Sequence, residues 1–424
     1  MERPDALLDS SRFTEAIRDP VWKHVWLTPE LRDLTASAPF TRLYRIKQLG
    51  PTELVYPGAS HSRASHSIGV YHLALRLLRV LRERSGLSWT SPEGRASFLA
   101  AALLHDLGHF PFTHSLKELP LEAHESLTAR AILEEPLRTL IAKTGADPHM
   151  AAAIIDESRD GSSEIIFFRS LLSGVLDPDK LDYLNRDAYY CGVPYGIQDT
   201  DFILSHVAAE RARGIVIDSP AIMSVESVLF SKYLMYRSVY WHKNVRIATA
   251  MMKKALYSGL GAGTISPEEL YAIDDNGVYE LLERIGGDEA TLAHAVRNRD
   301  IYLTLAEFPL ASDANCPLCD LSLRAQAESR LATLFTERTG ISVNAPDLVI
   351  DIPERISFES DLFVSDEAVP FHQSSTVFSG TIVTKFVSSL RKVRIALRPA
   401  LAHAMDKGAL SSDELAHYLG LRYN

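Results

Sequence analysis

The most informative segment of this sequence is Ala100-Ala-Ala-Leu-Leu-His-Asp-Leu-Gly-His109. It is an apolar helical sequence that carries an imidazole and a carboxylate, His105 and Asp106, side by side at its end. A helix that is apolar all round is expected at the centre of a fold, and Gly108 and Pro111 are expected to end it. Burying Asp106 beside His105 is costly unless something compensates the lost hydration, and a divalent cation is the simplest compensation.

Two further residues complete a predicted metal-ligand set. His66 lies upstream of the His-Asp pair and Asp179 lies downstream, so the chain offers two imidazoles and two carboxylates. Nitrogen and oxygen donors together suit Mn, Fe, Zn, Co or Ni, whereas carboxylates alone suit Mg or Ca. The sequence therefore predicts a transition-metal site formed by His66, His105, Asp106 and Asp179.

The helix that follows Asp177-Pro178 is predicted to present a polar strip. Asp177 is a suitable N-cap and Pro178 a suitable first helical residue. Asp179, Tyr183 and Asp187 then fall on one helix face, as expected for the wall of a polar pocket. Lys180 is expected beside the metal, where a phosphate charge would lie, and Asp182 and Arg186 are expected to form a structural ion pair. The alternative for this helix is a solvated surface face.

The rest of the chain is also predicted to be mostly helical. Residues 66–81 repeat apolar side chains at helical spacing, and Ser91-Pro92 opens the helix that leads to His105. His72, on the first of these helices, is interpreted as an ordinary packed histidine. Further helices are predicted at 122–143, 147–156, 164–173, 179–191 and 222–258, a basic amphipathic helix at 386–405, and short strands at 52–56, 214–218, 348–352 and 381–387.

A glycine-rich segment divides the chain in this interpretation. Residues 259–263 contain three glycines, and Ser266 restarts a helix with capping-box spacing. We therefore expect a mainly α fold, with a helical, metal-dependent catalytic domain at 1–258 and a smaller α+β region at 259–424. That second region is expected to serve subunit packing and closure of the pocket.

Composition indicates an intracellular enzyme and limits its partners. The 424 residues are 46% hydrophobic and carry a net charge of −10, which disfavours broad adhesion to nucleic acid or membranes. No apolar run reaches the roughly 18 residues that a membrane span needs. Three cysteines are typical of a reducing cytoplasm. Cys316 and Cys319 have zinc-knuckle spacing without a second pair, so ordinary loop cysteines are favoured.

Several motifs together resemble the deoxynucleoside triphosphate triphosphohydrolases of the HD superfamily. The resemblance covers roughly residues 15–250. It rests on the order His, His-Asp, Asp of the four predicted ligands and on the motifs Arg45-Ile-Lys-Gln-Leu-Gly50, Val55-Tyr-Pro-Gly-Ala-Ser-His-Ser-Arg63-Ala-Ser-His66-Ser-Ile-Gly-Val70, His105-Asp-Leu-Gly-His-Phe-Pro-Phe-Thr-His114, His124-Glu125 and Asp179-Lys-Leu-Asp-Tyr-Leu-Asn-Arg-Asp187.

The resemblance implies a reaction and a role for each matching residue. A dNTP would be hydrolysed to deoxynucleoside and inorganic triphosphate, with the divalent metal at the His-Asp site and Mg possible at the phosphates. Catalysis would involve His109, His124 and Glu125, with His124 the first choice as proton donor to the departing 5′-oxygen. The remaining residues would bind substrate: Arg63, His114, Lys180 and Tyr183 at the triphosphate, Gln48 and Asp187 at the 3′-hydroxyl, Leu49 against C2′, and Tyr240 on the sugar or base.

The resemblance also implies partners, and the chain departs from the vertebrate pattern in places. Residues that bind a guanine nucleotide activator there align with Arg18, Ala36 and Tyr44, which do not match, so regulation by a nucleotide at another site is left open. Lys232 and Trp241 replace an arginine and a glutamine near the phosphates and base, which leaves base preference open. Family members are often dimers or tetramers, so a homo-oligomer is expected.

Two other classes of function compete with this interpretation. One is a phosphodiesterase or nuclease acting on single-stranded nucleic acid, or a phosphatase for nucleoside monophosphates. A nuclease would need a basic, aromatic groove, and the chain has no basic-aromatic run to supply it. The other is a nucleotide-sensing protein with an inactive metal site, which the presence of all four predicted ligands disfavours.

Overall fold

The computed structural model confirms a mainly α fold, with 60% of the chain helical. It describes residues 10–310, 316–354, 356, 358, 361–378, 380–405 and 410–421, except for the side chains of Ser10, His114 and Ser115. The helices of the first part of the chain are α1 (Pro29–Ala36), α2 (Ala38–Arg42), α3 (Arg63–Ser85), α4 (Pro92–Leu104), α5 (His124–Leu133), α6 (Leu137–Lys143), α7 (Pro148–Ile155), α8 (Ser163–Leu172), α9 (Pro178–Cys191), α10 (Thr200–Ser205), α11 (Ile222–Met235) and α12 (Lys243–Gly261).

The remaining elements are seven helices and nine strands of the described residues. The helices are α13 (Pro267–Ala272), α14 (Asp275–Ile285), α15 (Gly287–Arg297), α16 (Leu321–Thr339), α17 (Gly380–Leu390), α18 (Pro399–Ala404) and α19 (Ser412–Tyr418). The strands are β1 (Glu15–Asp19), β2 (Lys23–Leu27), β3 (Val207–Glu210), β4 (Gly214–Ile217), β5 (Leu303–Pro309), β6 (Leu348–Asp351), β7 (Phe363–Val364), β8 (Val369–Pro370) and β9 (Lys392–Leu397).

Three small sheets accompany the helices. β1 and β2 form an antiparallel hairpin near the N-terminus. A four-stranded sheet has the order β3-β4-β7-β8, and a three-stranded antiparallel sheet has the order β5-β9-β6. The predicted strands at 214–218 and 348–352 are confirmed as β4 and β6.

Helix α4 lies at the centre of the fold, as its apolar sequence predicts. The Ser91 side chain accepts a hydrogen bond from Gly94 N at 2.8 Å, and Pro92 begins the helix. Every residue from Gly94 to Leu104 is buried, and α4 packs against α3 and α7 in the main core. Because α4 is buried, His105 and Asp106 at its C-terminal end lie in the interior of the fold.

Helix α3 approaches α9 closely enough to need a glycine. A Cβ atom at Gly69 would overlap the side chains of Asp182 and Arg186. The ion pair between those two residues is confirmed, with Arg186 Nε 2.8 Å from Asp182 Oδ2 and both side chains inaccessible to solvent. This contact fixes the spacing between the helices that carry His66 and Asp179.

The prediction of a single helix at 222–258 is wrong, because the helix is interrupted between Met235 and Lys243. α11 ends at Met235, a π-helical turn spans Tyr236–Tyr240, and α12 begins at Lys243. α12 runs to Gly261, so most of the predicted glycine-rich segment is helical. Gly259 packs against Ile265 there, which leaves no room for a side chain.

Four other predicted elements differ in the structure. Residues 50–54 form a 3-10 turn and not a strand. The predicted strand at 381–387 lies in α17, and the predicted helix at 386–405 is divided among α17, β9 and α18. The predicted helix at 122–143 is interrupted near Pro136, where α6 begins.

Apolar side chains of the described residues form a main core and three smaller clusters, the smallest of which contains Trp241 and Phe358. The main core surrounds α3, α4, α7 and α8, and it includes Leu362, Val364, Phe371 and Phe378 from the later part of the chain. A second core packs α12 against α14 and α15, and a third lies between α16 and the three-stranded sheet. The chain therefore returns to the main core after residue 259.

Candidate metal centre and active site

Three predicted ligands converge at the junction of α3, α4 and α9. His66 Nε2 lies 2.9 Å from Asp179 Oδ1, and His105 Nε2 lies 3.9 Å from the same oxygen. Donor atoms that share a metal at bond lengths of about 2.0–2.2 Å stand roughly 3–4 Å apart, so these separations fit one ion. Within the described part of the chain, this is the one group of three or more His, Cys, Asp or Glu residues that could hold a metal.

The hydrogen bonds of both histidines leave Nε2 available as a ligand. His105 Nδ1 lies 2.9 Å from the carbonyl oxygen of Ala102, and His66 Nδ1 lies 2.8 Å from Asp182 Oδ2. An imidazole that donates through Nδ1 carries its lone pair on Nε2. His105 Nε2 is buried and has no hydrogen-bond partner among the described residues, as expected for an atom that binds a metal.

The electrostatics of this junction favour a cation. Burial opposes a charge on His66, but Asp179 and Asp182 outweigh it and raise the pKa of His66 to about 10. Burial likewise opposes charge on Asp179, yet the contacts with His66 and His105 lower the pKa of that carboxyl group. A divalent metal would take the place of the histidine proton, because metal ligands bind in their deprotonated form.

Asp106 lies beside this group and bridges it to two other side chains. Asp106 Oδ1 is 3.4 Å from His105 Nε2 and 3.1 Å from His109 Nδ1, and Oδ2 is 3.0 Å from Arg63 Nη1. Burial is outweighed by His105 and Arg63, so the pKa of Asp106 is well below its usual range. The carboxylate is ionised next to the metal group, and its role as fourth ligand stays a prediction.

His109 and His124 are brought together, as the catalytic role implied for them requires. Their ring centroids are 3.9 Å apart, and His124 Nδ1 is 3.1 Å from Glu125 Oε2. Thr128 joins the two segments, since its hydroxyl accepts from Gly108 N at 2.8 Å and donates to the carbonyl oxygen of His105 at 3.0 Å. Burial lowers the pKa of His124 to about 4, so this imidazole is neutral at pH 7 before substrate enters.

A cavity of about 350 Å³ opens from the metal group. Six of the eight residues predicted to bind substrate line it: Gln48, Leu49, Arg63, Tyr183, Asp187 and Tyr240. Burial raises the pKa values of Tyr183 and Tyr240 well above the usual range, so both hydroxyls are protonated donors. The cavity therefore joins a predicted cation site to a wall that carries neutral hydroxyl and amide groups beside charged side chains such as Arg63 and Asp187.

Asp187 is held rigidly at one side of the cavity. His61 Nε2 lies 2.8 Å from Asp187 Oδ1, and the Tyr240 hydroxyl donates to Asp187 Oδ2 at 2.7 Å. The His61 ring stacks on Tyr190 with centroids 4.5 Å apart. Gln48 Oε1 is buried and lacks a hydrogen-bond partner in the described part of the chain, so it presents an acceptor to a ligand. The sequence interpretation missed His61, although it lies inside the quoted 55–70 motif.

The structure places Lys180 away from the cavity. Its ammonium group donates to the Gly174 carbonyl oxygen at 2.7 Å and to Asp177 Oδ2 at 2.8 Å. The role at the phosphates that was expected for Lys180 stays a prediction. Lys47 and Lys117 line the cavity, and the sequence interpretation singled out neither. The side chain of His114 lies outside the described residues, so its predicted phosphate contact has no structural test.

Other residues noted in the sequence have structural surroundings. His72 stacks on Trp22 with ring centroids 5.9 Å apart, which agrees with a packed histidine. Cys316 and Cys319 are half-buried against the third core, and no described group of metal-binding side chains includes them. No described helix combines the length and the hydropathy that crossing a bilayer requires.

Comparisons with known proteins match this architecture. Residues 63–173 match the HD domain, and residues 199–386 match the HD associated region. The uncharacterized protein YwfO of Bacillus subtilis is 39% identical over 247 residues, 57% of this chain and 55% of that protein. Deoxynucleoside triphosphate triphosphohydrolase SAMHD1 of Danio rerio is 28% identical over 280 residues, 58% of this chain and 45% of that protein.

A solved structure shares the fold. It is a phosphohydrolase from Bacteroides thetaiotaomicron with a TM-score of 0.71 and 23% identity, and the alignment covers 90% of this chain and 99% of that one. The chain spans about half the length of the curated relatives named above. The domain match begins at Arg63 and includes His66, His105 and Asp106, so the metal group lies largely within the matched region.

Proposed function

Because the chain belongs to the HD superfamily, we propose that it hydrolyses deoxynucleoside triphosphates to deoxynucleoside and inorganic triphosphate. The observation that carries the proposal is the continuity of one cavity: a predicted metal site at one end, and Asp187, Gln48 and Leu49 along its wall. SAMHD1 of Danio rerio, which matches 58% of this chain, is by name such a triphosphohydrolase.

The residues at the metal site supply the chemistry of phosphoryl transfer. His66, His105 and Asp179, with Asp106 as the fourth ligand, would hold Mn, Fe, Zn, Co or Ni, and such an ion activates water and offsets phosphoryl charge. In the reaction, a water oxygen bonds to the α-phosphorus while the bond from that phosphorus to the 5′-oxygen breaks. Arg63 and Lys117 would offset the charge of the leaving triphosphate.

His124 is the residue that would deliver a proton to the 5′-oxygen. Burial lowers the pKa of its imidazole to about 4. A triphosphate adds negative charge beside the imidazole, and that charge favours the protonated form. His109, in contact with His124, and Glu125 would support the transfer.

The sugar end of the cavity would select deoxyribose. Asp187 and Gln48 both present oxygen acceptors, and a 3′-hydroxyl group can donate to either. Leu49 would lie against C2′, where a 2′-hydroxyl of a ribonucleotide would lose its hydration without a partner. Tyr240, fixed by its hydrogen bond to Asp187, would pack against the sugar or base.

Product analysis tests the proposal. The purified protein is incubated with each dNTP alone, with all four together, and with added GTP, in the presence of Mn or Mg. We expect deoxynucleoside and intact triphosphate, abolished in His105→Ala and retained in His149→Ala, a substitution of an exposed histidine on α7. Release of mononucleotides from a single-stranded oligonucleotide, or of phosphate from a dNMP, without dNTP turnover would assign the chain to the competing classes.

We further propose that the protein acts as a homo-oligomer, a dimer or tetramer, and that a nucleotide can regulate it. Size-exclusion chromatography with light scattering tests the first point, and a mass of 47 kDa alone would contradict it. Turnover that depends on the mixture of dNTPs, or on GTP, would demonstrate an activating nucleotide, whereas equal rates on single dNTPs would exclude that requirement.

A further inference from the structure

The tip of the N-terminal hairpin is built to present one aromatic side chain. In the pairing of β1 with β2, Asp19 lies opposite Lys23, so residues 20–22 form a three-residue turn. Lys23 has a positive φ of 67°, the left-handed conformation expected after a turn of this length. Asp19 Oδ1 accepts hydrogen bonds from Val21 N at 2.9 Å and Trp22 N at 2.8 Å. The Asp19 carboxylate thus fixes the backbone that carries Trp22.

The indole of Trp22 reaches the interior of the fold. Its Nε1 donates a hydrogen bond to Asp182 Oδ1 on α9, and its ring stacks on His72 of α3. Trp22 does not line the cavity that opens from the metal group. Among the described residues, its hydrogen bond to Asp182 is the link to the metal ligand His66.

Asp182 is a buried carboxylate whose two oxygens accept four hydrogen bonds. Oδ1 accepts from Trp22 Nε1 and from Arg186 Nη2 at 2.9 Å, and Oδ2 accepts from His66 Nδ1 and from Arg186 Nε, both at 2.8 Å. A carboxylate has about four lone-pair positions, so every one is occupied. Its orientation is therefore set by these donors together.

The hydrogen bonds around Asp182 lead back to the N-terminal hairpin through Arg186. Arg186 Nη1 donates to Asp19 Oδ2 at 2.8 Å, so the Asp19 that shapes the turn also holds the arginine that holds Asp182. Gly69 leaves no space for Asp182 or Arg186 to move toward α3. A change in the hairpin that moves Asp182 is therefore expected to disturb its hydrogen bond with His66.

We propose that Trp22 is a positioning residue for the metal ligand His66, and that the N-terminal hairpin is in this way part of the metal site. The inference rests on the proposed function, because it assumes that His66 binds a metal. Residues that orient a metal-bound histidine typically change metal affinity by about 10- to 100-fold when they are removed. Trp22 acts one step further away, so an effect of about tenfold is expected.

The test compares Trp22→Phe with Trp26→Phe. Trp26 lies on the same hairpin with its side chain largely exposed, so the control makes the same chemical change without touching Asp182. Apoprotein is titrated with Mn²⁺ by calorimetry, and steady-state kinetics are measured on dNTPs at saturating Mn²⁺. We expect Mn²⁺ affinity to fall about tenfold in Trp22→Phe only. The KM for dNTP should be unchanged, because Trp22 does not line the cavity.

The outcomes separate this inference from the proposed function. Equal Mn²⁺ affinity in folded Trp22→Phe and wild type would overturn the inference, while wild-type dNTP turnover would leave the proposed function intact. Absence of both Mn²⁺ binding and turnover in the wild type would overturn the proposed function itself. If thermal unfolding shows that Trp22→Phe does not fold, Asp19→Asn decides: it keeps an acceptor for the turn amides but removes the charge that holds Arg186. Unchanged Mn²⁺ affinity in Asp19→Asn would then overturn the inference.

Discussion

Gly108 packs directly against the backbone of His124, because a Cβ atom at residue 108 would overlap the His124 carbonyl oxygen. The glycine lies in the turn after His105 and Asp106, and His124 begins α5. This close approach is what allows the rings of His109 and His124 to lie 3.9 Å apart. The contact between the two histidines proposed as catalytic therefore depends on a residue that has no side chain.

Gly108→Ala is expected to reduce dNTP turnover by at least about tenfold, because it pushes α5 away from the His-Asp turn. Overpacking at a tight contact also costs about 1–3 kcal/mol of stability. Turnover is measured together with thermal unfolding, so that loss of activity in folded protein can be recognised. Gly261→Ala is the control, since a Cβ atom there meets no other atom within 4 Å. Equal kcat in Gly108→Ala and Gly261→Ala would contradict the expectation.

Tyr240→Phe is expected to lower kcat/KM for dNTPs by about five- to tenfold, the value of one hydrogen bond of roughly 1–1.5 kcal/mol. The substitution removes the donor that fixes Asp187 Oδ2, so the carboxylate can turn away from the 3′-hydroxyl group. Tyr236→Phe provides the control, because Tyr236 lines the same cavity, whereas the hydrogen bond to Asp187 Oδ2 comes from the Tyr240 hydroxyl. A larger loss of kcat/KM in Tyr236→Phe than in Tyr240→Phe would show that Asp187 does not bind the 3′-hydroxyl group of the sugar.

The sequence predicts the centre of the fold from a local pattern, and it predicts the metal group from the order of its motifs. An all-apolar run identifies α4 as buried, and an i, i+4 spacing identifies the ion pair of Asp182 with Arg186. The convergence of His66, His105 and Asp179 follows from motif order.

The features that the sequence did not predict are those set by tertiary contacts. Trp22 and Asp182 are 160 positions apart, and nothing local marks their hydrogen bond. Lys180 follows Asp179 directly, but its first-turn position lets it bond to Asp177 instead of facing the cavity. The β-branched residues of 381–387 favour a strand, yet Ile382, Val383, Phe386 and Val387 pack on one face of a helix.

Lys117→Ala is expected to raise the KM for dNTPs about three- to fivefold at low salt, with a smaller change in kcat. Lys117 is an exposed cation that lines the cavity, and it forms no ion pair with a described residue. Attraction between an exposed lysine and a triphosphate is screened when the Debye length falls to about 10 Å at 0.1 M salt. The effect should therefore shrink as salt is raised from 20 to about 300 mM. Lys143→Ala, an exposed lysine at the end of α6, is the control.

Asp275 carries a charge that the fold does not favour. Burial raises the pKa of this carboxyl group from 3.8 to about 6, although Lys47 N donates a hydrogen bond to Asp275 Oδ2 at 2.9 Å. Because the folded-state pKa is the higher one, folding favours the protonated form. The protonated Asp275 carboxyl group therefore contributes to the free energy of unfolding. This contribution is fully present below about pH 4 and is lost as the pH rises through about 6. At pH 7.5 the ionised carboxylate therefore destabilises the protein.

Asp275→Asn is expected to increase the free energy of unfolding at pH 7.5 by about 1–2 kcal/mol, a value below the full shift because the side chain is only partly buried. The asparagine oxygen can still accept from Lys47 N. At pH 4 the gain should disappear, because Asp275 is then protonated. The pKa of the neighbouring Asp274 is shifted in the opposite direction. Burial opposes its charge, but the hydrogen bond with Arg45 outweighs burial and lowers the pKa. Urea unfolding is measured at both pH values. Asp274→Asn serves as the control and should be destabilised at pH 7.5. If Asp275→Asn were also destabilised at pH 7.5, the ionised Asp275 carboxylate would not be unfavourable to folding, and the expectation would be refuted.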